Sequence, residues 1–232
     1  MRITRKIYIL HGWAYSTEKW EPFLELLKKK GINPIVLKIP GLTAPLKEVW
    51  DLDSYVEWLQ KIISKEKGKV ILLGHSNGGR ISLAFAAKYP EKVEQLFLLD
   101  SAGIYHNELP IRAKRFVFGK LAKFGKLLTK SHRMKVLLYK FAREHDYEKA
   151  DPIVKETMRN LIRADLRDCL SLIKIPTTII WGKNDKVTPL SDGNVLHEGL
   201  KHSSLHIVNG ARHSPMFTHT DEVARLVLKE LT

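Results

Sequence analysis

Cysteine is almost absent from this chain. Cys169 is the single one in 232 residues, so no disulfide can close within the chain, and a reducing compartment is the expected setting. Long apolar runs are missing as well: nothing approaches the ~20 residues that span a bilayer. The opening stretch reaches only Ile7–Leu10 before His11 and Gly12 interrupt it, too short for the apolar core of a secretion signal. These two shortages predict a cytoplasmic globular protein.

The third shortage is local. Between Leu109 and Arg143 stand eleven Lys or Arg residues and no Asp or Glu, within a chain of net charge +14. That one stretch holds most of the excess charge. A solvated helical face, a field that draws in anionic substrates, and contact with an anionic membrane surface all remain open readings of it. No nucleic-acid-binding module accompanies the charge, so nucleic acid is excluded as a partner.

What is present reads as alternation. Short apolar runs are predicted as strands at Lys6–Leu10, Asn33–Lys38, Lys69–Leu73, Gln95–Leu99, Thr177–Trp181 and Ser204–Val208. Segments of helical period fall at Thr17–Lys30, Leu52–Ser64, Asn77–Tyr89, Asp192–Leu200 and Asp221–Leu231. This order implies βαβ units and a parallel sheet. The rhythm stops after Leu99, and the gap to Thr177 is too long for a loop inside a compact domain. The chain therefore divides into a core of 1–103 and 169–232 interrupted by a helical lid at 104–168. Within that lid Phe116, Leu121, Phe124 and Leu128 are expected to face the site or the core.

The chemistry concentrates at V-I-L-L-G-H-S-N-G-G, Val70 to Gly79. A buried strand leads directly into a helix through G-x-S-x-G. The sharp turn strains the serine backbone and needs small residues two before and two after, here Gly74 and Gly78. Such a turn lifts the Ser76 hydroxyl above the carboxyl ends of the strands, where open α/β sheets bind ligands. A serine hydroxyl is a weak nucleophile and needs a base held by a carboxylate. His213, in the loop after the last predicted strand, stands at the same sheet edge. Two acids compete to orient it: Asp185, past the penultimate strand, and Asp100, at the end of L-F-L-L-D. The oxyanion of an acyl-transfer intermediate needs two donors. The N–H of Asn77 is one candidate, and that of Trp13, after Gly12 in the first loop, is the other. His202 and His206 are four apart but run from a turn into a strand, so they offer no helical metal-binding face, and no metal or other cofactor is expected.

These pieces, H-G-W at 11–13, G-H-S-N-G-G at 74–79, W-G-K-N-D at 181–185 and G-A-R-H at 210–213, resemble the α/β-hydrolase family, in its lid-bearing esterase and lipase-like branch. The likeness covers 1–103 and 169–232. It implies a mostly parallel sheet flanked by helices, with the lid inserted after the fourth strand. The chain departs from the family in that its usual N-terminal antiparallel strands are not predicted, which leaves a sheet of about six strands. The likeness implies Ser76 as nucleophile, His213 as base, Asp185 as acid, and the backbone N–H groups of Trp13 and Asn77 as the oxyanion hole. Dehalogenases and epoxide hydrolases of the family carry aspartate where this chain has Ser76. The implied activity is hydrolysis of small to medium acyl esters. Lactone opening, carbon–carbon bond hydrolysis, perhydrolysis and thioester cleavage share the same residues, and so does a slow-turnover ligand receptor. The partner implied is a small-molecule ester, an anionic one being among the open readings of the basic stretch.

Overall fold

The computed structural model describes residues 5–14, 16–106 and 151–231. The basic stretch 109–143, with Phe116, Leu121, Phe124 and Leu128, lies outside the described residues, as does most of the proposed lid.

Six strands form one sheet: β1 (Arg5–Leu10), β2 (Ile32–Val36), β3 (Val70–His75), β4 (Val93–Leu99), β5 (Thr177–Gly182) and β6 (Ser203–Val208). Their order is β2-β1-β3-β4-β5-β6, and every pairing is parallel. Parallel strands need crossover connections, which cover both faces and leave the strands apolar throughout. Side chains therefore alternate between two cores. Tyr8, Leu10, Leu72, Leu98, Ile179 and Trp181 face one; Ile7, Ile9, Ile71, Leu73, Phe97 and Ile180 face the other.

The first core is closed by α2 (Leu52–Ile63), α3 (Asn77–Lys88), α4 (Pro152–Arg163) and α5 (Leu190–Gly199). The second is closed by α1 (Glu21–Lys29) and, beyond the four-residue α6 (Pro215–Thr218), by α7 (Thr220–Glu230). The segment expected as one helix from Thr17 is instead a 3₁₀ turn at Glu18–Trp20 followed by α1. Pro22 sets that boundary, since a residue without an N–H is tolerated in a first turn and not inside a helix.

Strand order places the site. From β1 the chain steps outward to β2, then crosses back to β3 on the other side of β1. The loops leaving β1 and β3 diverge there and open a crevice at their carboxyl ends, the position where open α/β sheets take ligands.

Candidate active site

Ser76 sits between β3 and α3 with φ 52° and ψ −119°, a left-handed conformation that costs a non-glycine residue of order 1–3 kcal/mol. Its surroundings hold it there. The Ser76 N–H donates to the Leu99 carbonyl at 3.1 Å, and the Ser76 carbonyl accepts from Gly79 N–H at 3.0 Å and Ala102 N–H at 2.9 Å. Close approach explains the flanking glycines. A Cβ on Gly74 would stand 2.5 Å from the Gly79 Cα, and one on Gly78 would stand 2.0 Å from the Leu10 carbonyl oxygen. The strand–helix crossing is thus pressed against the end of β1 as well as against β3.

From this turn a chain of hydrogen bonds runs inward. The Ser76 hydroxyl donates to His213 Nε2 at 2.9 Å, and His213 Nδ1–H donates to Asp185 Oδ2 at 2.8 Å. The loops carrying the last two residues are joined to each other: Lys183 N–H donates to the Val208 carbonyl at 3.1 Å and Asn184 N–H to the Ala211 carbonyl at 2.8 Å. Asp185 Oδ1 accepts from Val187 N–H at 2.7 Å. Its Oδ2 also accepts from the Thr188 hydroxyl at 2.8 Å. Burial works to raise the Asp185 carboxyl. The hydrogen bond and charge of His213, with the Val187 and Thr188 donors, outweigh it and hold the group below the usual carboxylate range. An imidazole backed by an ionised acid, with its Nε2 facing a hydroxyl, can take up the proton of that hydroxyl as it attacks.

Asp100, the competing acid, is brought to the same place but engaged differently. It ends β4 with φ 41°, and its Oδ1 accepts the Gly182 N–H at 2.7 Å, tying β4 to β5. Its Oδ2 has no hydrogen-bond partner among the described residues. Burial pushes its carboxyl up to about 8, with the Asp185 charge adding to the rise, so at neutral pH it is held mostly as the acid. His213 points its Nδ1–H at Asp185. Nitrogens of His75 and His213 and an oxygen of Asp100 lie within 4.8 Å of one another, the one grouping among the described residues where a metal could be imagined. Both His213 nitrogens already have protein partners, and His75 Nε2–H donates to the His213 carbonyl at 2.7 Å, so the cluster is committed to holding protons.

Three contributors were not legible as such in the sequence. His75, the residue before the serine, is buried, and burial lowers its ring to about 3, with the His213 charge adding to the fall. It stays neutral and fixes the backbone of His213. Thr188 touches both acid loops, with its hydroxyl 3.2 Å from the Asp100 carbonyl. His11 braces the first loop: its Nδ1–H donates to the Gly12 carbonyl at 2.7 Å, and its Nε2 accepts the Thr43 hydroxyl at 2.8 Å. A side chain at Gly12 would strike His75 Nδ1 and Ser76 Cβ, each at 2.9 Å.

A cavity of about 260 Å³ opens over Ser76 and is lined by Trp13, Asn77, Ile104, Leu161 and Thr188 among others, with an apolar majority. Asn77 is the first residue of α3, so its N–H has no acceptor within the helix, and the helix end favours negative charge beside it. Trp13 and Asn77 thus line one cavity with the serine. His202 and His206 are elsewhere, the latter within β6.

A family model described as the alpha/beta hydrolase fold matches residues 6–220. The chain is 26% identical to a pimeloyl-(acyl-carrier protein) methyl ester esterase of Neisseria meningitidis, over 96% of this chain and 91% of that protein. It is likewise 26% identical to a 2-hydroxy-6-oxononadienedioate/2-hydroxy-6-oxononatrienedioate hydrolase of Pseudomonas putida, over 97% and 87%. Among solved structures, a putative lipase from Acinetobacter baumannii superposes with a TM-score of 0.76 at 22% identity, covering all of this chain and 84% of that one, a likeness of fold.

Proposed function

Since this chain belongs to the α/β-hydrolase family, we propose that it is a serine hydrolase that cleaves carboxylic esters of small to medium acyl chains through an acyl-enzyme. The observation that carries this reading is the unbroken relay from Ser76 through His213 to Asp185, at 2.9 and 2.8 Å. In the first step His213 takes the Ser76 proton as Oγ attacks the ester carbonyl, and returns it to the departing alkoxide. In the second, His213 takes a proton from water, the hydroxide attacks the acyl carbonyl, and the acid leaves as Ser76 regains its proton. Asp185 holds the imidazole tautomer and stabilises the imidazolium. The N–H groups of Trp13 and Asn77 take the oxyanion of each tetrahedral intermediate.

The cavity volume supports the acyl-size limit, and the Neisseria relative, whose name states an ester substrate, supports the bond class. The Pseudomonas relative supports a second reading, carbon–carbon bond hydrolysis by the same residues. The cytoplasmic setting belongs to this proposal and rests on the single cysteine; no helix among the described residues is long and apolar enough to cross a membrane.

The test is turnover of p-nitrophenyl esters from acetate to palmitate by the wild type and Ser76→Ala in parallel. Serine-dependent turnover peaking at short or medium chains is expected, with kcat of Ser76→Ala lower by several orders of magnitude. A folded protein inert towards every ester would overturn the esterase reading and leave the carbon–carbon and receptor readings standing.

A further inference from the structure

Arg80 lies four residues past Ser76, at the end of the first turn of α3, and its own N–H reaches back to the Ser76 carbonyl at 3.3 Å. Residues four apart share one face of a helix, and side chains lean towards the helix N-terminus. The guanidinium therefore folds over the serine end of the helix, where Nη1 donates to the Asn77 side-chain oxygen at 3.2 Å. It lines the same cavity as Ser76.

The group is unusually poorly satisfied for its burial. Arg80 is 5% exposed, and Nε has no hydrogen-bond partner among the described residues. A guanidinium carries five N–H donors, and among the described residues one neutral amide oxygen answers them. The acid that acts on its charge, Asp165, is itself bonded to Arg167. Asp192, the one acid among the described residues that line the cavity, is bound to His106 at 2.8 Å. Burial draws the guanidinium down to about 10, still charged at neutral pH. A buried cation with a polar edge left over is costly, and an apolar side chain of similar length would fill the space without that cost.

We propose that Arg80 receives a carboxylate of the substrate, so that the preferred esters carry an ionised carboxyl a few atoms from the ester carbonyl, as half-esters of short dicarboxylic acids do. This inference rests on the esterase reading and narrows its substrate class. The guanidinium fork matches a planar carboxylate edge to edge. The apolar walls around it, Ile104 and Leu161 among them, keep water from competing for the pair. Proximity to Asn77 sets the length: only a short spacer lets one ligand touch both the oxyanion donors and Arg80.

The decisive comparison is monoethyl glutarate against its uncharged isostere, the ethyl ester of glutaramic acid, followed by pH-stat with the wild type, Arg80→Gln and Arg80→Lys. In the wild type kcat/KM for the acid should exceed that for the amide by roughly 10- to 100-fold, the value of a charge-assisted pair. The ratio should fall to near one in Arg80→Gln and be partly kept in Arg80→Lys. A wild-type ratio near one, or a ratio that survives Arg80→Gln, overturns the proposal; a purely structural arginine would slow both substrates together. Should both variants fail to fold, competition in the wild type decides. Glutarate should inhibit hydrolysis of p-nitrophenyl butyrate competitively and far more strongly than glutaramide, and equal inhibition overturns the proposal. Should the wild type hydrolyse no ester, the esterase reading falls by itself, and calorimetric titration with glutarate then tests Arg80 alone. Saturable binding by the wild type that glutaramide does not share and that Arg80→Gln loses supports the proposal, and no binding overturns it.

Discussion

Two aspartates follow adjacent strands of this sheet and both lie within reach of the Thr188 hydroxyl, yet they are held in different charge states. Asp185, beyond β5, is surrounded by donors: Val187 N–H, the Thr188 hydroxyl and His213 Nδ1–H. Asp100, at the end of β4, has the Gly182 N–H on one oxygen and no donor on the other among the described residues. The first is held ionised and the second protonated. The same functional group is sorted by the number of hydrogens pointed at it, and that number decides which one can support an imidazolium.

The comparison breaks most sharply at Asp185. Asp185→Asn should lower kcat on a p-nitrophenyl ester by about 10⁴-fold, since the amide favours the wrong imidazole tautomer. Asp100→Asn should change kcat far less, because its carboxyl is already neutral. A loss in Asp100→Asn matching that in Asp185→Asn would transfer the acid role to β4. Thr188 is the element both regions share. Thr188→Val removes the hydroxyl from Asp185 Oδ2 at near-constant shape. It is expected to cost about 1–3 kcal/mol at that carboxylate and to slow turnover roughly 10- to 100-fold, with KM for a neutral ester little altered.

The smallest effect lies in stability. A carboxyl whose folded pKa is raised stabilises the fold at low pH, and that contribution is lost as pH rises towards about 8. His75, lowered to about 3, acts oppositely below its ordinary value of about 6.5, so the two oppose each other there. Above pH ~6.5 only the Asp100 effect remains of this pair, and it should weaken folding by up to about 1.4 kcal/mol per pH unit towards pH 8. Urea denaturation at pH 6.5 and 8 should show this slope in the wild type and a flatter one in Asp100→Asn. Equal slopes would mean that Asp100 is ionised in the native protein.

The two acids also mark how far the sequence could be read. All six strands were legible because a parallel sheet buried on both faces demands apolar runs, and the runs stand out. Gly74, Ser76 and Gly78 were legible because the turn is local: its spacing follows from one strand meeting one helix. His213 and Asp185 were placed by position, each standing in the loop that follows a strand. What could not be read was set by neighbours distant in the chain. The neutrality of Asp100 depends on Gly182, and the role of Thr188 on three residues from three loops. The commitment of His75 to a carbonyl 138 residues away leaves no local mark. The short helix at Pro215–Thr218 was read as loop, since four residues are too few to display a period. Arg80 is the instructive miss. Its place on the serine's face follows from helical period alone, and a cation at the fourth position after a candidate nucleophile was a signal available from the start.

The backbone ties at Ser76 carry one more consequence. Its N–H ends on Leu99, and its carbonyl is gripped from the α3 side by Gly79 and from the β4 side by Ala102. Both peptide groups of the residue are thereby anchored to the last turn of the neighbouring strand. The serine has no private hinge: it cannot swing without unfastening β3 from β4. Readiness for attack is therefore installed when the sheet closes, and a substrate finds the hydroxyl already aimed.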